Sequence, residues 1–251
     1  MECAWPLQAL REELAPLMPG VRVELAPEID STNSELMRRA RAGSTQPVLL
    51  VAERQTAGRG RRGRAWQADP GDSLTFSLGL PLAPREWSGL SLAVGVAVAE
   101  MLHPAVGLKW PNDLWVGGHK LGGILVETAG TGEALRQAVV GVGINIAPRD
   151  GAGLSTPPAA LRALWPQAQA GEVLLRVAAP LARALREFEQ AGFGAFVERY
   201  RARDLLWDTP VTLSDGRLGT ACGVSGSGGL LVHTAAGTLC VTSEEVSVRP
   251  A

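Results

Sequence analysis

The chain has little lysine, asparagine or tyrosine. Of its 24 basic residues only Lys109 and Lys120 are lysine, Asn occurs only at positions 33, 112 and 145, and Tyr200 is the single tyrosine. In a chain that otherwise uses Arg and avoids Asn, the exceptions mark places where a compact ammonium or a side-chain amide is required. No run of 18 apolar residues is present, which excludes a membrane-spanning helix. The start, Met-Glu-Cys-Ala-Trp-Pro, lacks the basic and apolar stretches of a signal peptide, so a soluble, cytoplasmic protein is expected. Three cysteines, Cys3, Cys222 and Cys240, form no CxxC pair, and His103, His119 and His233 show no metal-ligand spacing. Packed thiols and ordinary imidazoles are expected, with no metal held by side chains. A net charge of −1 gives no global attraction to DNA or to an anionic membrane, so neither is an expected partner.

Against these absences stands residues 58–64, Gly-Arg-Gly-Arg-Arg-Gly-Arg. Four like charges in seven residues repel unless solvent or an anion bridges them. The glycines allow close backbone approach to such an anion. The segment reads as a flexible anion-binding lid; a solvated basic turn is the plainer alternative. It matches GxGxxG formally, but Trp66, Pro70 and Gly71 follow where a dinucleotide-binding fold needs a helix. No GxxxxGK[ST] sequence exists, so a bound nucleotide would not use a P-loop.

With 251 residues and 46% hydrophobic content, the chain can bury one substantial core and a small second one. Leu7, Leu10, Leu14 and Leu17 follow Pro6 at helical spacing. Strands are expected at 21–25, 47–52, 73–80, 106–110, 114–116, 120–128 and 138–146. Helices are expected at 34–42, 87–102, 157–165, 172–190 and 193–203. Ser31 and Thr32 precede the first of these, either as a cap or as hydroxyls presented to a ligand at a helix N-terminus. Lys120 enters an apolar strand and needs an anionic partner to offset its desolvation. Gly141 and Gly143 suggest close approach of ligand or backbone to the strand they share. After Trp207, short strands at 211–213, 218–224, 230–233, 239–241 and 246–248 alternate with turns such as Asp215-Gly216. The expectation is an α+β fold: a mixed central sheet with packed helices over residues 1–206, and a small β-barrel over 207–251.

Taken together, Ser31-Thr32-Asn33, the segment from Gln55 to Trp66, Lys109-Trp110-Pro111-Asn112-Asp113-Leu114, Lys120-Leu121-Gly122-Gly123-Ile124-Leu125-Val126-Glu127 and Gly141-Val142-Gly143-Ile144-Asn145 resemble the biotin–protein ligases. The motifs occur in family order and span nearly the whole chain. The resemblance implies a class II synthetase-like catalytic fold with an SH3-like C-terminal barrel. It implies activation of biotin by ATP and Mg²⁺ to biotinyl-5′-AMP, then transfer to a lysine of a biotin carboxyl carrier domain, of acetyl-CoA carboxylase or a similar enzyme. Catalytic roles then fall to Lys120, Arg59 and Arg61, which offset the repulsion between carboxylate and polyphosphate, and to Asp113, which positions or deprotonates the incoming amine. Biotin contacts fall to Ser31, Thr32, Asn33, Gln55, Arg59, Gly60, Arg61, Trp66, Lys120 and Gly123. Nucleotide contacts fall to Arg61, Lys109, Asn112, Lys120 and Asn145. The lid is expected to be mobile when empty and to close on the adenylate, shielding it from water.

Some relatives carry an N-terminal winged helix-turn-helix of about 60 residues and act as repressors, whereas about 30 residues precede Ser31 here. A ligase without repressor function is therefore expected, with a homodimer possible. No aromatic that would cover the adenine can be aligned between residues 147 and 165, although Trp165 is available. Two rival readings remain. A lipoate ligase or octanoyltransferase would share the fold, and a nucleic-acid-binding module could use the arginine loop as a phosphate grip. The arginine-glycine loop argues against the first, and the low net charge and lack of interleaved aromatics against the second.

Overall fold

The computed structural model describes residues 5–130, 135–149, 151, 158–214, 216–242 and 248–250. Cys3, Pro157, Asp215 and Val246 lie outside the described residues. Pro6, with its fixed φ, opens α1 (Leu7–Leu14), which buries Leu10 and Leu14. Next come β1 (Arg22–Ile29), α2 (Thr32–Arg41) and β2 (Val48–Gln55). β1 and β2 run parallel, with α2 as the crossover. β1 continues past the expected 21–25 through Pro27, which is tolerated because β1 is an edge strand. β3 (Ser73–Leu82), α3 (Leu90–Leu102), β4 (Gly107–Lys109), β5 (Asp113–Val116), β6 (His119–Ala129), β7 (Arg136–Asn145) and α4 (Ala170–Ala191) complete the larger unit. Its seven strands form one mixed sheet in the order β1-β2-β3-β7-β6-β5-β4.

Alternation in two central strands decides where the site lies. In β3, Leu74, Phe76, Leu78 and Leu80 enter the main core, and in β7 so do Ala138, Val140, Val142 and Ile144. That face is covered by α1, α3 and α4. Because strand side chains alternate, the opposite face carries Ser73, Thr75, Ser77 and Gly79 beside Asn145, Gly143, Gly141 and Val139. α2 covers only part of it, packing Leu36 and Met37 against Val48, Leu50 and Val139. The rest of this polar, glycine-rich face is the floor of a cavity.

Two expected helices are reduced. In place of 157–165 the described residues hold a 3₁₀ turn, Leu161–Ala163. The sheet competes for this backbone: the Ala159 amide donates to the Lys120 carbonyl at 2.8 Å, and Pro158 forms a bridge with Lys120. In place of 193–203 stand a 3₁₀ helix, Phe193–Phe196, and a short α5 (Val197–Arg201). The following segment covers the outer edge of β4, the Leu108 amide donating to the Arg203 carbonyl at 2.7 Å and the Leu205 amide to the Leu108 carbonyl at 3.0 Å.

The C-terminal unit consists of β8 (Thr209–Leu213), β9 (Leu218–Val224), β10 (Leu230–Thr234), β11 (Gly237–Val241) and β12 (Val248–Pro250). Its antiparallel sheet, in the order β11-β10-β9-β8-β12, is the SH3-like barrel. Among the described residues β11 and β12 do not pair, so no hydrogen-bond ladder closes it. The thiols depart from expectation: Cys222 is half-buried, and Cys240 is exposed because Leu239 and Val241 take the inward side of β11. The β9–β10 turn docks on the larger unit, where the Trp110 indole N–H donates to the Gly228 carbonyl at 3.0 Å.

Candidate active site

The cavity measures about 540 Å³ and is lined by every residue expected from the sequence except Asn145. Residues 58–66 form a short hairpin over it. The Trp66 amide donates to the Gly58 carbonyl at 2.8 Å and the Gly60 amide to the Arg64 carbonyl at 2.7 Å. Arg62, at φ 55, and Gly63, at φ 70, make its tip. The turn leaves Arg59, Arg62 and Arg64 exposed and Arg61 half-buried toward the sheet.

One end of the cavity is neutral. Ser31 caps α2, its hydroxyl accepting from the Ser34 amide at 3.4 Å, and Ser31, Thr32 and Asn33 are all buried. The cap and the pocket wall are thus one feature. The Gln55 Oε1 accepts from the Thr32 amide at 2.8 Å and from the Thr32 hydroxyl at 3.1 Å. The Ser77 hydroxyl lies 2.7 Å from Thr32 Oγ1 and 2.6 Å from Asn33 Oδ1. Asn33 Nδ2 donates to the Leu125 carbonyl at 3.2 Å and to Glu127 at 3.0 Å. Glu127 also receives Arg59 at 3.1 Å, so this carboxylate joins the hairpin to α2.

The other end is cationic. Lys120 Nζ donates to Asp113 Oδ1 at 2.7 Å, which supplies the anionic partner its position requires. Gly123 lies beneath the pair: a Cβ there would meet Lys120 Nζ at 3.5 Å and Asp113 Oδ1 at 3.6 Å. Lys109 Nζ sits 4.3 Å above the Trp115 ring. Arg61 donates to Asn112 Oδ1 at 3.3 Å, and Asn112 Nδ2 donates in turn to the Ile124 carbonyl at 2.9 Å. Among the described residues seven cationic side chains line the cavity, Arg149 among them, against a single carboxylate, Asp113. Such a lining in a partly enclosed space attracts a polyanion. Trp66 stands between the two ends, its indole N–H 3.4 Å from Thr75 Oγ1.

Asn145 is placed differently. It is buried beneath Lys120, with Nδ2 donating to the Lys120 carbonyl at 3.2 Å and the Ala159 carbonyl at 3.0 Å, while its Oδ1 has no partner. Trp165 lies outside the cavity, in an open groove shared with α1 and α4, where Arg176 stacks on it at 5.3 Å. The close approaches to Gly141 and Gly143 come from side chains: a Cβ at the first would strike Asn33, and at the second the Trp66 ring. Sequence reasoning missed Thr75, Ser77, Glu127 and Arg149 as site residues. The first two were detectable, since Ser-Leu-Thr-Phe-Ser-Leu-Gly-Leu alternates small or polar with large apolar residues. Among the described residues no three His, Cys, Asp or Glu side chains converge to hold a metal.

Residues 25–145 match the model of the Biotin/lipoate A/B protein ligase family. The chain is 36% identical over 246 residues to the bifunctional ligase/repressor BirA of Escherichia coli K12, covering 91% of this chain and 74% of the relative. It is 31% identical over 235 residues to the biotin–[acetyl-CoA-carboxylase] ligase of Paracoccus denitrificans, covering 86% and 96% respectively. Among solved structures it resembles the biotin protein ligase of Aquifex aeolicus in complex with biotin and ATP. That likeness has a TM-score of 0.77 at 29% identity and covers 92% of this chain and 99% of the other.

Proposed function

The chain belongs to the biotin/lipoate A/B protein ligase family, and on that premise we propose that its cavity activates biotin with ATP and transfers it to a lysine of a biotin carboxyl carrier domain. The observation that carries this reading is the division of the cavity into a neutral end and a cationic end. Ser31, Thr32, Asn33, Gln55 and Ser77 are buried donors and acceptors, and a ureido group, with two N–H donors and one carbonyl, can match them. A dithiolane ring has nothing to hydrogen-bond them and would leave them desolvated, which disfavours lipoate.

In the first step a biotin carboxylate oxygen bonds to the α-phosphorus of ATP. The bond from that phosphorus to the bridging oxygen breaks, and pyrophosphate leaves. Lys120 and Arg61, near the boundary between the two ends, offset the repulsion between carboxylate and phosphate. Asp113, already bonded to Lys120, fixes the ammonium in place. In the second step the carrier lysine, as a neutral amine, attacks the anhydride carbonyl; the bond from that carbonyl to the phosphate oxygen breaks, an amide forms and AMP leaves, while Asp113 holds the incoming nitrogen and takes up its proton, which passes on to solvent. Mg²⁺ bound with ATP would supply further neutralisation of phosphate charge, and Asp113, the carboxylate among the described lining residues, would be the protein group available to it. The carrier would be a domain of acetyl-CoA carboxylase or a similar cytoplasmic enzyme.

Exchange of labelled pyrophosphate into ATP tests the assignment. Exchange that requires biotin is expected. Exchange with lipoate in place of biotin would move the chain to the lipoate branch, and exchange with neither would overturn the activity.

A further inference from the structure

Arg149, four residues beyond Asn145, lies just past the end of β7 on a segment that carries no assigned role. Its guanidinium stacks on the Trp66 ring at 5.3 Å, its Nη1 donates to the Gln67 carbonyl at 3.3 Å, and its buried Nε has no partner. Burial pulls its pKa below the usual arginine value, with the nearby Asp69 charge opposing. A half-buried cation with no direct counter-ion among the described residues, on the wall of a cavity, calls for an anionic ligand.

The register of the floor says which ligand. Ser77 pairs with Gly141, Thr75 with Gly143 and Ser73 with Asn145. Along β7, therefore, the neutral cluster stands over Gly141, Trp66 stands over Gly143, and the chain then passes Asn145 toward Arg149. At roughly 3.3 Å per residue, the neutral cluster lies more than 10 Å from the end of the strand. Resting on the proposed activity, we infer that Arg149 is a nucleotide-binding residue, giving an oxygen of ATP a charge-assisted contact from the side of Trp66 remote from the neutral pocket. The same stacking joins the exit of the arginine hairpin to the exit of β7, so the residue also braces the wall between the two ligands.

Three variants in the full chain separate these roles: Arg149→Met keeps length without charge, Arg149→Lys keeps charge without the planar stack, and Arg149→Ala removes both. In biotin-dependent pyrophosphate exchange, Met and Ala are expected to raise the KM for ATP about tenfold or more, the loss of one charge-assisted contact. The KM for biotin should stay within twofold, and Lys should recover the ATP value to within about threefold. The inference fails if ATP and biotin KM values rise together, if Lys and Met behave alike, or if neither KM moves. Should the parent show no biotin-dependent exchange, the proposed activity fails, and calorimetric binding of ATP to parent and Arg149→Met still decides whether Arg149 holds the nucleotide.

Discussion

At the scale of single residues, the site is shaped by side chains that need space from their neighbours' backbones. Asn33 lies against Gly141 and Trp66 against Gly143, so closely that neither position has room for a methyl group. Gly141→Ala should therefore displace Asn33 from Ser77, Leu125 and Glu127. A disturbed buried hydrogen-bond network of this kind costs about 1–3 kcal/mol. The expected outcome is a rise of tenfold or more in the biotin Kd by calorimetry, with the ATP Kd little changed; unaltered biotin affinity would refute the assignment of the neutral end. Each of the three scarce asparagines does use its side-chain amide, in a way only the fold makes visible. Asn33, Asn112 and Asn145 all donate to main-chain carbonyls of β6, those of Leu125, Ile124 and Lys120. β5 pairs with β6 only as far as Gly123. Just beyond it the Ile124 carbonyl needs another partner, which the Asn112 amide supplies, whereas Lys120 lies within the β5 pairing and its carbonyl receives Asn145 from the end of β7. Nothing in a one-dimensional reading shows where a short neighbouring strand stops.

At the scale of elements, strand positions were legible to within a few residues, but reading 73–80 and 138–146 simply as strands left the two-faced character of β3 and β7 unseen. Both faces are indeed buried. One packs against helices and the other lies beneath α2 and the hairpin, and only the alternation of residue size distinguishes them. The β9–β10 turn is a comparable case. Its sequence, Ser225 to Gly229, marks only a turn between two strands, yet it carries the acceptor for the buried Trp110 indole. Gly228 has φ +84, and a Cβ there would meet the Gly89 Cα at 2.7 Å. Gly228→Ala should thus combine a left-handed backbone penalty of about 1–2 kcal/mol with a backbone clash. A fall in Tm of several degrees is expected. Because Trp110 adjoins Pro111-Asn112-Asp113, kcat for exchange should fall with it. A variant with parental Tm and kcat would show that the barrel contact does not position this segment.

At the scale of the whole molecule, a net charge of −1 coexists with a strongly cationic cavity, so the long-range field is weak and attraction acts only near the site. The two units also share a junction whose stability should depend on pH. Asp204 follows the short helix α5, in the segment that closes the β4 edge. Its Oδ1 accepts from the Leu206 amide at 2.9 Å while its Oδ2 is buried without a partner, and burial raises its pKa above the ordinary carboxylate value. A carboxyl with a folded pKa above its unfolded pKa binds more protons in the native state between the two values. Its contribution to stability is therefore fully present below the unfolded value, about 3.9, and is lost as pH rises through the folded value. Asp204→Asn keeps an acceptor for Leu206 and removes the charge. Thermal melts from pH 4 to pH 8 should show the variant at least as stable as the parent at pH 8, with a flatter dependence on pH just above 4. A variant that is less stable at pH 8, or whose Tm tracks the parent across the whole range, would mean that the Asp204 carboxylate is satisfied at the junction and that burial there carries no electrostatic cost.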